Sequence, residues 1–451
     1  MQDTICAIST ALGVGAISII RVSGTKAIEV VNSIFETKNL EKVKSHTIHH
    51  GFIMSKKKKV DEVLVSIMKK PKTFTKEDVI EINCHGGIAT TNKVLELLLE
   101  SGCRLAEPGE FTKRAFLNGR IDLAQAEAIG DIIQSKTNTA RKLAMAQIEG
   151  KLSKMIKDIR QDLLEILANI EVNIDYPEYE DAPFITMEII REKLKTTKVD
   201  LTKLLNESEN GRLIKEGIKV ALAGKPNVGK SSILNFLLDE EKAIVTDIAG
   251  TTRDAIEGQI SLDGIALNII DTAGIRETAD YVEQLGVKKS EEIIVDADLV
   301  IYILSADEKV NEQDFESLEK IAKEKLVVFI NKTDLETNTD FKEIEKYSLV
   351  YGNTVRENGL DNLKQKIRQK FNLEEIASQD FTYVSNVRQI SLIKKAILQI
   401  SEVLDQKDNE IPIDIISIDI KSCWETLGEI IGETYKEELL DELFSKFCLG
   451  K

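Results

Sequence analysis

Aromatic residues make up only 5% of the 451-residue chain, with a single tryptophan and six prolines. That poverty argues against an aromatic-rich β-sandwich and favours helical and α/β layers. Positive charge is in deficit as well: 60 Lys and Arg against 76 Asp and Glu leave a formal net charge of −16. A chain this acidic does not coat nucleic acid by bulk charge, so any RNA or DNA contact has to use a local basic patch or a partner. The five cysteines (Cys6, Cys84, Cys103, Cys423 and Cys448) are odd in number and form no CxxC pair. Free thiols in a reducing cytosol fit that pattern better than disulfides or a zinc knuckle. No apolar run approaches the ~20 residues of a membrane span. The opening MQDTICAIST lacks a basic stretch followed by an apolar core, so it does not read as a secretory signal. Together these absences predict a cytoplasmic protein. What is present is apolar content of 42%, ample for packed cores, and a length that predicts about three domains at roughly 150 residues each.

Residues 1–120 mix short strands with a helix. AISIIRV, HTIHHGFIM, DEVLVSIM and DVIEINC are β-branched runs separated by Gly, Lys or Pro breaks, and VLELLLESG reads as a helix stopped at Gly102. The basic run Lys56–Lys59 reads as a solvated hairpin tip more readily than as a nucleic-acid contact. From Ile121 the texture changes, and apolar residues recur every three or four positions through LLEILANIEV, the patterning of a helix bundle. A polar break at DYPEYEDAP precedes one more helix. Between Gly217 and Phe371 strands and helices alternate. IKVALAG, IALNIID, LVIYILS and LVVFINK are the continuous apolar runs that a parallel sheet buried on both faces requires. After Ser385 the pattern is helical again. The expected architecture is multidomain, α/β and α: an α+β domain at 1–120, a helical domain in two parts at 121–210 and 380–451, and an inserted P-loop domain at 217–376 with a mostly parallel, doubly wound sheet. Insertion is cheap when the ends of the guest lie close in space.

GKPNVGKS (Gly224–Ser231) fits GxxxxGK[ST] directly after the strand IKVALA and opens the helix SILNFLL. Backbone N–H groups and the helix N-terminus there make an anion-binding concavity; Lys230 adds a point charge for the outer phosphates and the Ser231 hydroxyl suits Mg²⁺. DTAG (Asp271–Gly274) follows the strand IALNII, where a water-bridged Mg²⁺ ligand and a γ-phosphate-sensing N–H belong. NKTD (Asn331–Asp334) ends the strand LVVFI. Guanine offers N1–H and N2–H₂ donors that a carboxylate such as Asp334 accepts together, and adenine lacks that pair, so the match argues for GTP over ATP. Between these blocks lies TDIAGTTRD (Thr246–Asp254), with Thr252 as the natural switch threonine for Mg²⁺. The candidate nucleotide-binding residues are therefore Asn227, Val228, Gly229, Lys230, Ser231 and Ser232; then Thr246, Asp247, Ile248, Ala249, Gly250, Thr251 and Thr252. Asp271, Thr272, Ala273 and Gly274 follow, with Asn331, Lys332, Thr333 and Asp334 last. The SA[KL] turn that usually supports guanine is degenerate, and Asn353-Thr354 is the best candidate for it. Ile275 stands where small switch GTPases carry a water-positioning Gln; a hydrophobic side chain cannot orient a water, so another group must, with Arg253 and Arg276 as basic candidates.

The Asn227-bearing P-loop, TDIAGTTRD and DTAGIRET resemble the TrmE–Era–Der branch of GTPases. FTKEDVIEINCHGG (Phe74–Gly87), EPGEFTKRAFLNGRIDLAQAEAI (Glu107–Ile129) and the closing FCLGK (Phe447–Lys451) narrow the resemblance to the MnmE (TrmE) family of tRNA uridine-modification GTPases, over essentially the whole chain. The resemblance implies an enzyme that, with the FAD- and NADH-dependent flavoprotein MnmG, installs an aminomethyl or carboxymethylaminomethyl group at C5 of the wobble uridine of certain tRNAs. It implies a homodimer in which residues 1–120 form a folate-binding, dimerising module. Arg21, Glu81, Arg120 and Lys451 match the positions that hold 5-formyltetrahydrofolate or a related tetrahydrofolate; relatives also carry Lys at 120, which keeps the cation. Asn227, Thr246, Ile248 (through its backbone) and Thr251 match the K⁺ positions, and Ser231 and Thr252 the Mg²⁺ positions. Glu283 matches the water-orienting glutamate and Cys448 the tail cysteine. Relatives usually end in CIGK, and Leu449 replaces the Ile with another apolar residue. Plainer readings stand beside these: Glu81 as a solvent-facing strand residue, Arg21 as a surface ion-pair partner, Cys448 as a small buried hydrophobe, Glu283 as part of a solvated charged face.

Two other functions compete with the modification enzyme. A ribosome-assembly switch of the Era or Der kind should carry a KH-like GxxG module or a second G domain, and this sequence has neither. A folate-sensing scaffold with a vestigial GTPase sits poorly with intact Lys230, Asp271 and Asp334.

Overall fold

The computed structural model describes residues 3–175, 186–240, 258–271, 291–335, 341–378, 384–405, 412–435, 437–447 and 449–450. The chain divides into two compact units, one of residues 1–130, 147–199 and 391–451, the other of residues 131–146 and 200–390. No helix among the described residues is long and apolar enough to cross a membrane.

The first unit is built on a seven-stranded sheet. Its strands are β1 (Ile5–Ile8), β2 (Ile17–Ser23), β3 (Phe35–Glu36), β4 (Thr47–Ser55), β5 (Lys58–Met68), β6 (Val79–His85) and β7 (Arg104–Leu105), in the spatial order β3-β4-β5-β6-β2-β1-β7. All pairs are antiparallel except β1 with β7. Alternate residues of the central strands (Ile20 and Val22, Val63 and Val65, Ile80 and Ile82) join the core against the helices Ala27–Ile34 and Ile88–Glu100. The second helix ends as its sequence suggests, with Gly102 at φ 103° and the Cys103 N–H donating to the Leu98 carbonyl at 3.0 Å. Lys56 and Lys57 form the two-residue turn between β4 and β5, both left-handed at φ 46° and 70°, the geometry of a type I′ hairpin. The lysine run is thus a hairpin tip. Several elements had little signal: β1 is only four residues long, β3 and β7 only two, and AIEVVNSI is a helix despite its β-branched residues, held by buried Val30, Val31 and Ile34.

The segment EPGEFTKRAF earns its composition through a buried ion network. The helix Glu110–Leu117 places Glu110 and Arg114 one turn apart. Arg114, 2% exposed at its side chain, pairs with Glu110 at 2.9 Å, Asp3 at 2.8 Å and Glu77 at 3.2 Å. Arg104 closes the circuit onto Glu110 at 2.6 Å and Asp3 at 2.8 Å, and Ser23 Oγ donates to Glu77 at 2.8 Å. Burial by itself would raise the Glu110 carboxyl, but Arg104, the Glu107 N–H and Arg114 outweigh it and hold the group below its ordinary value. In the same unit the helices Lys151–Asp175 and Ile413–Ile431 pack along each other. Arg160 lies 4.0 Å from the Trp424 ring, donates to the Trp424 carbonyl at 3.1 Å and pairs with Glu433.

The second unit holds a six-stranded sheet in the order β13-β12-β11-β8-β10-β9. The strands are β8 (Ile218–Ala223), β9 (Gly258–Leu262), β10 (Ile265–Asp271), β11 (Leu299–Ser305), β12 (Leu326–Asn331) and β13 (Leu349–Tyr351). Only β9 with β10 is antiparallel. This is the expected mostly parallel, doubly wound sheet. Leu222, Ile301 and Phe329 face the helices Lys230–Glu240 and Asp361–Phe371, while Ala221, Val300 and Val328 face the helix Glu312–Lys320. Burial on both faces is why these strands read as unbroken apolar runs. Ala140 and Leu143 belong to the same cluster as Leu222.

Arg114→Met should cost the full-length chain about 3–5 kcal/mol, because it strands buried carboxylates without their cation; denaturant unfolding measures it, and a change no larger than that of an exposed Arg→Met control would remove the network from the account. The pH dependence has a defined sign. Glu110's folded value lies below its ordinary 4.5, so its contribution is complete above that value and disappears as acid carries the pH down through the depressed one.

Candidate functional site

β8 delivers the chain to the phosphate loop. Gly224 and Gly229 take φ of 138° and 99°, and Asn227 lies between them at 65°. These left-handed residues coil the backbone into an anion-binding nest ahead of the helix Lys230–Glu240. A Cβ at Gly229 would collide with the Asn331 amide, so only glycine fits. Lys230 is buried, and its ammonium donates to the Gly224 carbonyl at 2.9 Å and the Lys225 carbonyl at 2.6 Å. Val228 is buried and its carbonyl accepts from Asn331, while Ser231 and Ser232 are exposed in the first turn of the helix. Asp271 closes β10 opposite Leu222, buried beside the strand that leads into the loop.

The NKTD loop leaves β12 at the same sheet edge. Asn331 is 1% exposed and donates Nδ2 to the Val228 carbonyl at 2.9 Å, so the base-side loop and the phosphate loop are tied directly. Lys332 is left-handed at φ 59°, its ammonium 3.6 Å from Asp307. Thr333 donates both its N–H (3.2 Å) and its hydroxyl (2.9 Å) to the Gly352 carbonyl. Asn353 Nδ2 donates to the Thr333 hydroxyl at 3.4 Å, and its Oδ1 accepts from the N–H groups of Val355 (3.2 Å) and Arg356 (2.9 Å). The Asn353-Thr354 turn therefore abuts NKTD. Asp334 is exposed, its carboxylate open to a ligand edge. Thr246, Asp247, Ile248, Ala249, Gly250, Thr251, Thr252, Thr272, Ala273, Gly274, Glu283, Cys448 and Lys451 lie outside the described residues, as do Arg253, Ile275 and Arg276.

Sequence reasoning missed one support of the loop. Lys225 pairs with Asp314 at 2.5 Å; Asp314 is buried, accepts from the Tyr302 hydroxyl at 3.1 Å and caps its helix through the Asn311 N–H at 3.0 Å. The Asn311–Asp314 capping box is legible as a helix start. Nothing in the sequence links it to a lysine 89 positions earlier.

A second polar cluster occupies the first unit. Arg21 and Glu81 are directly opposed on β2 and β6 and pair at 2.8 Å. Arg21 also donates to the Gly450 carbonyl at 3.2 Å, and Ser9 Oγ donates to the same oxygen at 3.1 Å. Gly450 is left-handed at φ 84°, and a Cβ there would come within 2.5 Å of the Ile8 carbonyl. Arg120 stacks on Phe74 at 4.7 Å, and Phe74 and Phe111 flank Arg21 at 5.9 and 5.7 Å. The loop bearing Arg120 is fixed by Lys76 Nζ donating to the Gly119 carbonyl (2.8 Å) and Asn118 to that of Thr75 (2.7 Å). Arg21, Glu81 and Arg120 are thus brought together, with the chain's last described residue among them. The set offers two cations, one carboxylate and aromatic faces to a planar, anionic ligand. Among the described residues no cluster of three or more His, Cys, Asp or Glu could hold a metal ion; the hydroxyl and amide oxygens of Ser231 and Asn227 are the hard donors available at the phosphate loop.

Two family models match: "GTP-binding protein TrmE N-terminus" over residues 4–120 and "MnmE helical domain" over residues 123–448. The tRNA modification GTPase MnmE of Staphylococcus aureus strain bovine RF122 / ET3-1 is 50% identical over 456 aligned residues, covering 100% of this chain and 99% of that protein. The same protein of strain N315 matches to the same extent. Among solved structures, the G domain of the T. maritima FeoB iron transporter is 30% identical over 34% of this chain and 98% of its own, with a TM-score of 0.27.

Asp314→Asn should loosen the phosphate loop without touching a ligand. A hydrogen bond to a charged group contributes about 1.5–3 kcal/mol, so nucleotide affinity should fall by at least roughly tenfold; titration with a fluorescent guanine nucleotide checks it, and unchanged affinity would make the Lys225 pair incidental.

Proposed function

The chain belongs to the MnmE (TrmE) family, and from that membership we propose that it is a GTP-hydrolysing tRNA modification enzyme. In this reading it works in the cytoplasm with the flavoprotein MnmG. Together they add an aminomethyl or carboxymethylaminomethyl group at C5 of the wobble uridine, using a folate one-carbon unit. The observation that carries the reading is the joint assembly of Lys230, Asn331 and Asp334 at one sheet edge with the separate Arg21–Glu81–Arg120 cluster. A nucleotide switch alone would need only the first.

At the nucleotide, the Gly224–Lys230 backbone holds phosphate oxygens. Lys230 already lies across the loop on two carbonyls, and it transfers its hydrogen bonds to the outer phosphates when they arrive. Asp334 selects guanine by accepting from N1–H and N2–H₂. Ser231 and Thr252 would hold Mg²⁺, and Asn227, Thr246, Ile248 and Thr251 would hold K⁺; the two cations supply neutralisation of phosphate charge. The Asn227 conformation fits that role, since its backbone turns at the loop's mouth. Glu283 orients the attacking water in place of the side chain that Ile275 lacks, acting through a second water because two anionic groups repel at close range.

In the N-terminal module Glu81 accepts from the ring N–H groups of a tetrahydrofolate, Arg120 and Lys451 meet its glutamate carboxylates, and Arg21 holds both Glu81 and the tail that carries Cys448. The one-carbon unit is what the folate supplies. Homodimerisation is supported by an uncovered apolar face: Ile17, Ile48 and Leu64 stand exposed on β2, β4 and β5, and strand pairing puts them on the same side of the sheet. Residues 1–120 would serve as this dimerising module, 217–376 as the GTPase domain, and 121–210 with 380–451 as the helical domain.

Deleting the gene should abolish the wobble-uridine modification in total tRNA, read by nucleoside mass spectrometry; persistence of the modified nucleoside would refute the assignment. The purified chain should hydrolyse GTP faster in KCl than in NaCl. Glu283→Ala should cut turnover ~10- to 100-fold with GTP affinity nearly unchanged, and wild-type turnover in that variant would pass the role to Arg253 or Arg276.

A further inference from the structure

Six lysines gather at one end of the β4–β5 hairpin of a chain whose net charge is −16. Lys38, Lys42 and Lys44 lie on the segment entering β4, and Lys69, Lys70 and Lys72 on the segment leaving β5. The two segments are laced together. The Lys69 N–H donates to Ser45 Oγ at 2.8 Å, the Lys69 ammonium donates to the Glu41 carbonyl at 3.0 Å, and His46 Nε2 sits 3.1 Å from the Lys72 carbonyl. The His46 N–H donates to the Ile67 carbonyl at 2.7 Å and extends the strand pairing into this corner. The two lysine-bearing segments are therefore tied side by side.

Their second property is the lack of counter-charge. Lys93, Lys113, Lys193, Lys225 and Lys446 all find carboxylates. Among the described residues none pairs with the ammonium of Lys38, Lys42, Lys44, Lys70 or Lys72, all of which are exposed. The two acidic neighbours bond to other groups: the Asp78 carboxylate accepts from the Lys70 backbone N–H, and Glu41 contributes its backbone carbonyl to Lys69. Burial, and after it the Lys38 charge, pushes the His49 ring below its ordinary value. In a chain with 76 acidic residues to 60 basic ones, carboxylates are abundant, so an unpaired cluster held in place by hydrogen bonds is a standing repulsion that an external polyanion would relieve. The two segments, KNLEKVKSH and KKPK, contain no Arg, Phe, Tyr or Trp. They have point charges for phosphates but no fork or stacking face for bases.

We propose that this lysine corner grips the sugar-phosphate backbone of the tRNA substrate without reading its sequence. The proposal rests on the reading that the enzyme acts on tRNA, and it gives an acidic chain a direct RNA contact of its own. A backbone grip of this kind positions the nucleic acid and leaves recognition of the uridine to other groups.

The test uses the full-length chain and a labelled tRNA transcript, with binding followed from about 50 to 200 mM KCl. K44E/K70E/K72E should lower affinity at least tenfold. It should also flatten the slope of log K against log salt by roughly 2 to 3, since each lost phosphate contact removes about 0.7–0.9. GTP turnover should stay at the wild-type value, and an unchanged thermal melt followed by circular dichroism reports that the variant folds; K44Q/K70Q/K72Q replaces it if it does not. K56E/K57E/K58E makes the same change in net charge at the far tip of the hairpin and should leave the slope near wild type. Equal loss in both variants, no loss in either, no tRNA binding by the wild type, or binding only to vesicles of anionic phospholipid would each overturn the proposal. Should the wild type fail to bind tRNA while gene deletion still removes the modified nucleoside, the lysine corner is wrong and the enzymatic assignment survives; should deletion leave the nucleoside intact, the assignment itself fails.

Discussion

The Asn331 carboxamide joins the end of β12 to the Val228 carbonyl inside the phosphate loop, and the arrangement of the nucleotide site follows from that contact. The amide sits where a side chain on Gly229 would go, so the loop glycine and the asparagine require each other. Asn331 is buried, while Asp334, three residues on, is exposed. The Thr333–Gly352–Asn353 bonds then fix the following turn against the same loop. Parallel strands bring all of this to one edge, since β8, β10 and β12 all end there with their motif residues.

The first unit solves a different problem, that of building a charged site on a sheet. Arg21 and Glu81 face each other across β2 and β6 with only partial exposure, and a pair in that position needs neighbours to hold its geometry. Phe74, Phe111 and the Gly450 carbonyl supply them. In the same unit the Arg114 network anchors residues far apart in the sequence: Asp3 before β1, Glu77 before β6 and Glu110 on its own helix. Such networks stabilise only when every member is satisfied, so the block EPGEFTKRAF has little freedom to vary in this chain.

Four strands of each sheet were legible, and the shorter β1, β3, β7, β9 and β13 were not. The four strands named in the second unit are apolar on both faces and read directly, and those of the first unit read through their β-branched alternation. The four-residue β1 and the helix Ala27–Ile34 did not, because a short strand carries almost no periodicity and β-branched residues bias a helix towards a strand reading. The P-loop, Asp271 and NKTD were legible as motifs whose chemistry demands those residue types. Arg21, Glu81 and Arg120 were legible only through family resemblance, since no local pattern marks one strand arginine among many. The Lys225–Asp314 pair and the lysine corner were illegible for the same physical reason: each is a contact between distant segments, and spacing in the sequence says nothing about which segments meet.

The bond between Arg21 and the Gly450 carbonyl spans 429 positions. Ribosomes add about 5–20 residues per second, so β2 exists for roughly 20 to 90 seconds before the carbonyl that Arg21 will bind has been synthesised. The sheet of the first unit can form in that interval, because all seven of its strands come from the first 105 residues. Its polar cluster cannot. During translation Arg21 gains Glu81 as a partner once β6 has been made and meets the Gly450 carbonyl only after residue 450 has been added. Between those two events the sheet can be complete while the Arg21–Glu81 pair still lacks its contact with the Gly450 carbonyl.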